Sequence, residues 1–549
     1  MGFAQYAGVF LPAVRASLLL LLVVMAADAS AAPPDVTSLF PAGGAVGETV
    51  DVTATGTFAK WPLQVWCSDP HVQVECAKDK GKLQIKIGSE AALGIAWLRL
   101  IDAEGASAPR PFVIAAQPSV REKEPNDSPK QAKQISVPAA VQGKFDKNGD
   151  SDAYRVELAA GQTLVASLQA NEILGSPADG ALQICNADGQ VLAMNQDAGG
   201  LDSLVTYRAA SAGSYLVRTF AIPATPNSSV NFAGGELFIY RLTITAGPFA
   251  DYALPLAVSR TEATEVKPQG WNLIDGESVS LTAPATIPTT PWYWSPAAAA
   301  GLIPLRVSDV PVVVATAAAA TPDGQPINPL CSISGVIAKP KEIHRFTFDG
   351  KKGTKLSIAA ESANLNFDLD PFLKLTSPSG EKVAEADDAG KDRDPTLNVT
   401  LPADGSYVLE LRDLHRSGGP RHVYRLQIET PTPRLAMTVT AGNFLIEAGK
   451  TLEIPVTINR PGFTEEVSIS ALDLPEGISV TAVNSQNKGD TSKQVKLVLT
   501  ATAEVKAGPI RIVAKNKDDQ EIATATFAQT LGGSTFQHAS VWLGVKGSK

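Results

Sequence analysis

The chain has 549 residues, too long for one ordinary domain, and 44% of them are hydrophobic, enough for several separate cores. Lys and Arg number 47 against 56 Asp and Glu, and the formal net charge of −9 excludes a general affinity for nucleic acid or anionic lipid, because phosphate binding needs a basic surface. The four cysteines lack the CxxC spacing of a zinc or dithiol redox site.

Residues 1–31 read as a signal peptide: Arg15 precedes the apolar run SLLLLLVVMAA (17–27), and Ala29-Ser30-Ala31 fits a cleavage site. The run is too short to span a bilayer, and no later segment is long and apolar enough to do so. The expected location is secreted, extracellular or periplasmic, with no membrane span after cleavage. Beyond residue 31 the pattern is short alternating runs between turn signals, such as ETVDVTATG (48–56), KLQIKIG (82–88), QTLVASLQA (162–170), KLSIAAES (355–362) and TLEIPVTINR (451–460). Period-two alternation with Gly, Asp and Pro turns predicts an all-β fold of tandem β-sandwich domains.

The predicted units are a β domain at 33–118, a sandwich at 119–250, an irregular β segment at 251–326, a second sandwich at 327–431 and a last β domain at 432–549. The 251–326 segment ends in a linker-like Ala-rich stretch, ATAAAATPDGQP (315–326). In an oxidising compartment Cys67 and Cys76, flanking SDPHVQVE, are placed for a local bridge, while Cys185 and Cys331 fall in different units. Trp292, Tyr293 and Trp294 read as packing between prolines rather than a sugar-stacking platform. The loop carrying His415 and His422 reads as a long hairpin, since two histidines without a third ligand make a poor metal site.

The two sandwiches are a repeat, offset by about 190 residues. DAYRVELAAGQTLVASL (152–168), the GSYLVR strand and FIYRLTIT (238–245) return as EIHRFTFDGKKGTKLSIAA (342–360), GSYVLELRD and HVYRLQIE (422–429). Ahead of the first copy stands REKEPNDSPKQA (121–132), which has no apolar face to bury. Its Glu122, Glu124, Asn126 and Asp127, around Pro125, offer the hard oxygens that calcium gathers six to eight at a time, at about 2.3–2.6 Å. The competing reading is a solvated acidic linker. Reading DKNGDSDAYRVE (146–157) as an EF-hand loop, with Asp146, Asn148, Asp150, Asp152 and Glu157 as ligands, fails on Ser151 at the glycine position and on the strand-like AYRVEL.

EKEPNDSPKQA, GDSDAYRVELAAGQTL, LQICNADGQVLA, ASAGSYLVR and YRLTI together resemble a bacterial pre-peptidase C-terminal (PPC) domain over about 119–250, and the second copy resembles a divergent one. The first unit is similar to an IPT/TIG immunoglobulin-like fold, and the last to Ig-like accessory domains of secreted bacterial enzymes. The resemblance implies jelly-roll-like sandwiches, secretion and a companion catalytic domain. It also implies one calcium site formed by Glu122, Glu124, Asn126, Asp127, Asp150 and Asp152. In the second copy PINPLCSISG replaces EPND, and AKPKEIHRF puts Lys and Glu where GDSDAY stood, so that copy is expected to keep the fold without the site.

With no HExxH, no GxSxG and only five histidines, the chain is not expected to be an enzyme. The expected function is a non-catalytic binding, adhesion or scaffold protein whose partner is an extracellular polymer or envelope protein. The alternatives are an accessory or remnant of a secreted peptidase, and a cryptic extracellular hydrolase.

Overall fold

The computed structural model describes residues 32–225, 231–284, 289–431 and 433–546; the expected signal peptide lies outside them. Among the described residues the regular structure is nearly all β-strand, with one four-residue α-helix, Asn171–Leu174. Strand Lys82–Ile87 shows why: Leu83, Ile85 and Ile87 are buried while Lys82, Gln84 and Lys86 are exposed, a two-residue period that puts one face of the sheet in a core.

The two repeats fold alike, strand for strand. In the first, Ser119–Arg121, Ala139–Lys144, Ile239–Thr245, Thr163–Gln169 and Leu204–Arg208 form one sheet, in that order. Lys133–Gln134, Asp152–Leu158, Gly213–Pro223, Ala178–Asn186 and Val191–Asn195 form the other. In the second, the orders are Val312–Val314, Cys331–Val336, Val423–Glu429, Lys355–Glu361, Thr396–Thr400 and Gln325–Pro326, Ile343–Gly350, Gly405–Asp413, Pro371–Thr376, Lys382–Ala386. Even the small corner repeats. Asp202 accepts the backbone N–H groups of Ala170 and Asn171 at 3.1 and 2.8 Å, and Asp394 accepts those of Ser362, Ala363 and Asn364 at 3.0, 3.0 and 2.9 Å.

The structure departs from the expected linker. The Ala-rich stretch belongs to the second sandwich: Val312–Val314 and Gln325–Pro326 are strands of its two sheets, and Ala319 between them is fully buried in its core. It is the counterpart of residues 122–132, laid along the sandwich by its small side chains instead of by polar groups. Of the rest of the 251–326 segment, Phe249–Leu254, Thr264–Trp271 and Val279–Leu281 form a sheet of their own, Thr289–Thr290 pairs with the last unit, and Trp292–Trp294, Ile303–Ser308 and Ala257–Ser259 extend a sheet of the first unit. Trp292–Trp294 pairs with Gly94–Asp102 of that unit on one side and with Ile303–Ser308 on the other. Gly94, at φ +140°, has no room for a side chain, since a Cβ would stand 2.6 Å from the Tyr293 carbonyl oxygen. The tryptophans of this strand are half-buried against Ile303, Leu305 and Val258, which is packing.

The four cysteines are free, including the expected Cys67–Cys76 pair. Their strands belong to different sheets, Gln64–Cys67 pairing with Gly94–Asp102 and Val72–Cys76 with Lys82–Ile87, and the Cys76 thiol donates to the Leu63 carbonyl at 3.1 Å.

Two arginines, Arg421 partly buried and Arg99 buried, tie the units together. Arg421 donates to the Asp251 carboxylate and to the carbonyls of Ala198 at 2.7 Å and Asn366 at 3.0 Å, joining both repeats and the segment between them. Arg99 of the first unit donates to the Gly442 carbonyl of the last at 2.9 Å, and its burial pushes its pKa down to about 10. The last unit also meets the first repeat, where Gly533 N–H donates to Asn171 Oδ1 and Ser534 to Glu172, both at 2.7 Å.

Candidate metal site

Residues 121–134 run as a strap along the first repeat, held by backbone bonds from Glu122 N–H to Gln142 at 3.1 Å and from Ala153 N–H to Asn126 at 3.0 Å. The second bond sets Asn126 beside Asp152, the first residue of its strand. The carboxylate oxygens fall into two groups that share Glu124: Glu122, Glu124 and Asp152, and Glu124, Asp127 and Asp150, the oxygens of each lying within 4.8 Å of one another. The structure thus brings together the six residues nominated from sequence.

Positive charge is what the cluster lacks. Lys144, the adjacent cation, is turned to Asp146 at 2.9 Å. Burial, then the other carboxylates, push Asp152 up to about 9 and Glu122 up to about 8, and Glu124 and Asp150 are raised in the same direction by burial. Glu122 accepts the Lys144 N–H at 2.5 Å, which is one of the few contacts opposing its rise.

At the floor of the site the Tyr240 hydroxyl lies 2.7 Å from Asp152 Oδ2, 3.0 Å from Glu122 Oε2 and 2.5 Å from the Tyr154 hydroxyl. One hydroxyl carries one proton, so it cannot satisfy two ionised carboxylates at once. Asp152 and Asn126 are fully buried, and Asp152 Oδ1, Asn126 Oδ1 and Asn126 Nδ2 have no hydrogen-bond partner among the described residues. Buried polar atoms are ordinarily paired. Orphaned oxygens beside four carboxyls of raised pKa fit a hard divalent cation, and the all-oxygen donor set fits calcium. Among these residues, Asp152, Asp150, Glu122 and Asn126 Oδ1 would hold the ion from the sandwich side, with the exposed Glu124 and Asp127 on the open side.

The EF-hand alternative has no geometry to support it. Asp152–Leu158 is a strand, so Glu157 lies roughly 16 Å along it from Asp152. Tyr154 and Tyr240 escaped the sequence reading because a buried tyrosine in an alternating strand reads as core. The recurrence of YRL in both repeats was the available signal.

The second repeat shows what replaces the cluster. His344 stands where Asp152 stands, Glu342 where Asp150 stands and Phe346 where Tyr154 stands, each strand pairing in the same register. His344 Nδ1 lies 2.7 Å from the Tyr424 hydroxyl and Nε2 lies 3.3 Å from Glu342, with burial lowering the imidazole pKa. An internal ring thus fills the place that the first repeat leaves to acids.

Gly143 faces the Tyr240 ring across the strand pair, and a Cβ there would overlap it. Gly143→Ala is expected to cost about 1–3 kcal/mol through overpacking and to blunt any calcium response, because it displaces the hydroxyl under the acids. Melts of the variant with calcium and with chelator check this; a calcium shift equal to the wild type's would show that Tyr240 does not set the site.

Fold and site together define a tandem β-sandwich protein with a strap on each repeat and an acid cluster under one strap. Residues 342–413 match the family model described as bacterial pre-peptidase C-terminal domain, so the chain carries a PPC domain in its second repeat. The matched copy is the one in which His344 replaces the acid, so a match to this family model does not by itself bring the cluster. The chain is also 31% identical over 246 residues to a probable subtilase-type serine protease of Deinococcus radiodurans, covering 43% of this chain and 26% of that protein. The chain therefore spans about a quarter of that relative's length. Among solved structures, the pre-peptidase C-terminal domain of a Bacillus anthracis collagenase covers 19% of this chain and 94% of its own at 16% identity and TM-score 0.16. A periplasmic inhibitor of g-type lysozyme from Aeromonas hydrophila covers 22% of this chain and 98% of its own at 12% identity and TM-score 0.15. Among the described residues no helix is long and apolar enough to cross a membrane.

Proposed function

We propose that the protein is an exported, non-catalytic β scaffold whose first repeat binds calcium under its strap, and that it works beside a secreted peptidase. The observation that carries the calcium reading is the orphaned, fully buried Asp152 Oδ1 and Asn126 Oδ1 among acids of raised pKa. The peptidase association is supported by the PPC domain and by the name of the Deinococcus relative. The non-catalytic reading is supported by where the chain spends its buried histidines: His344 contacts Tyr424 within the second repeat, and His538 contacts Gln529 at 2.9 Å, packed between Trp97 of the first unit and Phe527 of the last. Burial, then the charge of Arg99, pushes His538 down to about 3, where it serves no proton transfer near neutrality.

The test is calorimetric titration of the full chain with calcium, beside Glu124→Ala and Asp152→Ala, together with assays on casein, gelatin and peptidoglycan. Saturable binding lost in both variants, with no hydrolysis, is the expected result. Absence of binding removes the calcium reading. Hydrolysis abolished by a single carboxylate substitution elsewhere removes the scaffold reading in favour of a hydrolase.

A second reading, adhesion to an extracellular polymer, is favoured by a cleft of about 470 Å³ lined by Trp292, Trp294, Leu273 and the 70% exposed Ile274. Retention on collagen, chitin or cell-wall resin, weakened by Trp294→Ala, would support it; passage through all three columns would remove it.

A further inference from the structure

One row of polar side chains crosses four strands of the first repeat. Arg121 stands opposite Gln142, Gln142 opposite Arg241, and Arg241 opposite Gln169. Their chain neighbours Val120, Val141, Tyr240, Leu242 and Leu168 enter the core, so the row lies on the other face of the sheet. That face is covered too: Ile239, two residues from Arg241, packs with Ala42 and Val113 of the first unit. Arg241 and Gln142 are accordingly 4% and 1% exposed.

The same row in the second repeat is Val314, Ser334, Arg425 and Glu361. There every guanidinium nitrogen has a partner. Arg425 Nη1 donates to Glu361 at 2.8 Å, Nη2 to Gln427, and Nε to Ser332 Oγ at 3.0 Å. Two exchanges undo this in the first repeat. Gln169 stands at the place of Glu361, which removes the counter-charge, and Ala140 at the place of Ser332, which removes the acceptor for Nε. Arg241 Nη1 still donates to Gln169 at 2.8 Å and Thr243 at 3.1 Å. Its Nε, and both polar atoms of the Gln142 amide beside it, have no partner among the described residues. Burial lowers the Arg241 pKa only to about 10, so the guanidinium is charged near neutrality.

We propose that the first repeat binds a small monovalent anion of the chloride class here, held by Arg241 Nε–H and the Gln142 amide N–H on the side where the second repeat has Ser332 Oγ. Charge selects an anion over water. A water could accept from both donors, but it would leave the guanidinium uncompensated, and a buried charge without a partner is strongly unfavourable. Arg121 and Lys144, on the same sheet face, are cations as well, set 5.0 and 5.8 Å from the centre of the Phe40 ring. The near-complete enclosure of Arg241 and Gln142 favours a single-atom ion over a bulky oxyanion.

The experiment is thermal unfolding of the full chain in chelator, so that calcium plays no part, with sodium gluconate exchanged stepwise for sodium chloride at constant ionic strength. The melting temperature is expected to climb with the logarithm of chloride concentration. Gln169→Glu with Ala140→Ser gives the first repeat the acid and hydroxyl of the second, and is expected to abolish that dependence. Crystals of the wild type grown in sodium bromide are expected to show anomalous density in contact with Arg241 Nε. Equal melting in the two salts overturns the proposal, as does a chloride shift that survives the double variant. Bromide at Arg241 without any chloride effect on melting means an adventitious ion only and overturns it as well. Absence of bromide there overturns the site whether or not the double variant folds.

Discussion

Calcium in hundredfold excess over its dissociation constant raises the melting temperature of the first repeat by roughly 5–10 °C, because a ligand bound only by the folded state adds about 2.7 kcal/mol at that ratio. The gain depends on pH in a way that identifies the site. Without the ion, Glu122 and Asp152 titrate at about 8 and about 9 in the folded chain, against 4.5 and 3.8 as free groups. Between those limits the folded state keeps protons that the unfolded state has released. Stability therefore falls as pH rises from the ordinary carboxyl range towards 9. A bound cation ionises both groups in the folded state as well, and the slope disappears. The calcium shift is thus expected to be small at pH 5 and large at pH 8. Asp152→Asn removes most of the slope in chelator along with the calcium response. Melts at five pH values, with calcium and with chelator, decide the matter; a slope that calcium leaves intact would place the protons elsewhere.

The second large effect is at the junction of the repeats. Asp251 is mostly buried, with 12% of its side chain exposed; burial raises its pKa, and Arg421 is the main influence pulling it back. Arg421→Met leaves that carboxylate without its cation and the Ala198 and Asn366 carbonyls without a donor. The expected loss is about 3–5 kcal/mol by chemical denaturation, as for other buried pairs broken from one side. Adding Asp251→Leu is expected to return most of it, since both charges are then gone. A loss below about 0.5 kcal/mol for Arg421→Met would mean that the repeats do not depend on this contact.

Alternation and turn residues were enough to read the β architecture and the repeat, because each strand buries one face and its side chains record which. The acid strap was legible for the opposite reason: REKEPNDSPKQA has nothing apolar to bury, so its polarity needed another use. Sheet membership was not legible. Nothing local in PWYWSP says that Trp294 will pair with Gly94 about 200 residues earlier, and pairing partners are fixed only by the assembled core. ATAAAATPDGQP looked like a linker because alanine marks flexible and close-packed chain alike, and only the buried Ala319 distinguishes them. His344 is not legible as a replacement, because its ring partners, Tyr424 and Glu342, are brought to it only by the folded sheets.

The pairing of Trp292–Trp294 with Gly94–Asp102 has a bearing on how the chain comes into being. A polypeptide is made from one end to the other. By residue 118 the first unit has both its sheets, with Gln64–Cys67 already paired to residues 98–101 of strand Gly94–Asp102, but the Gly94 end of that strand meets its partner only at Trp294. Its buried Arg99 waits longer still, for the Gly442 and Ser540 carbonyls near the far end. The unit at 33–118 is therefore made well before the strands and carbonyls that complete it, so a deletion beyond residue 440 is felt in a unit more than 300 residues earlier.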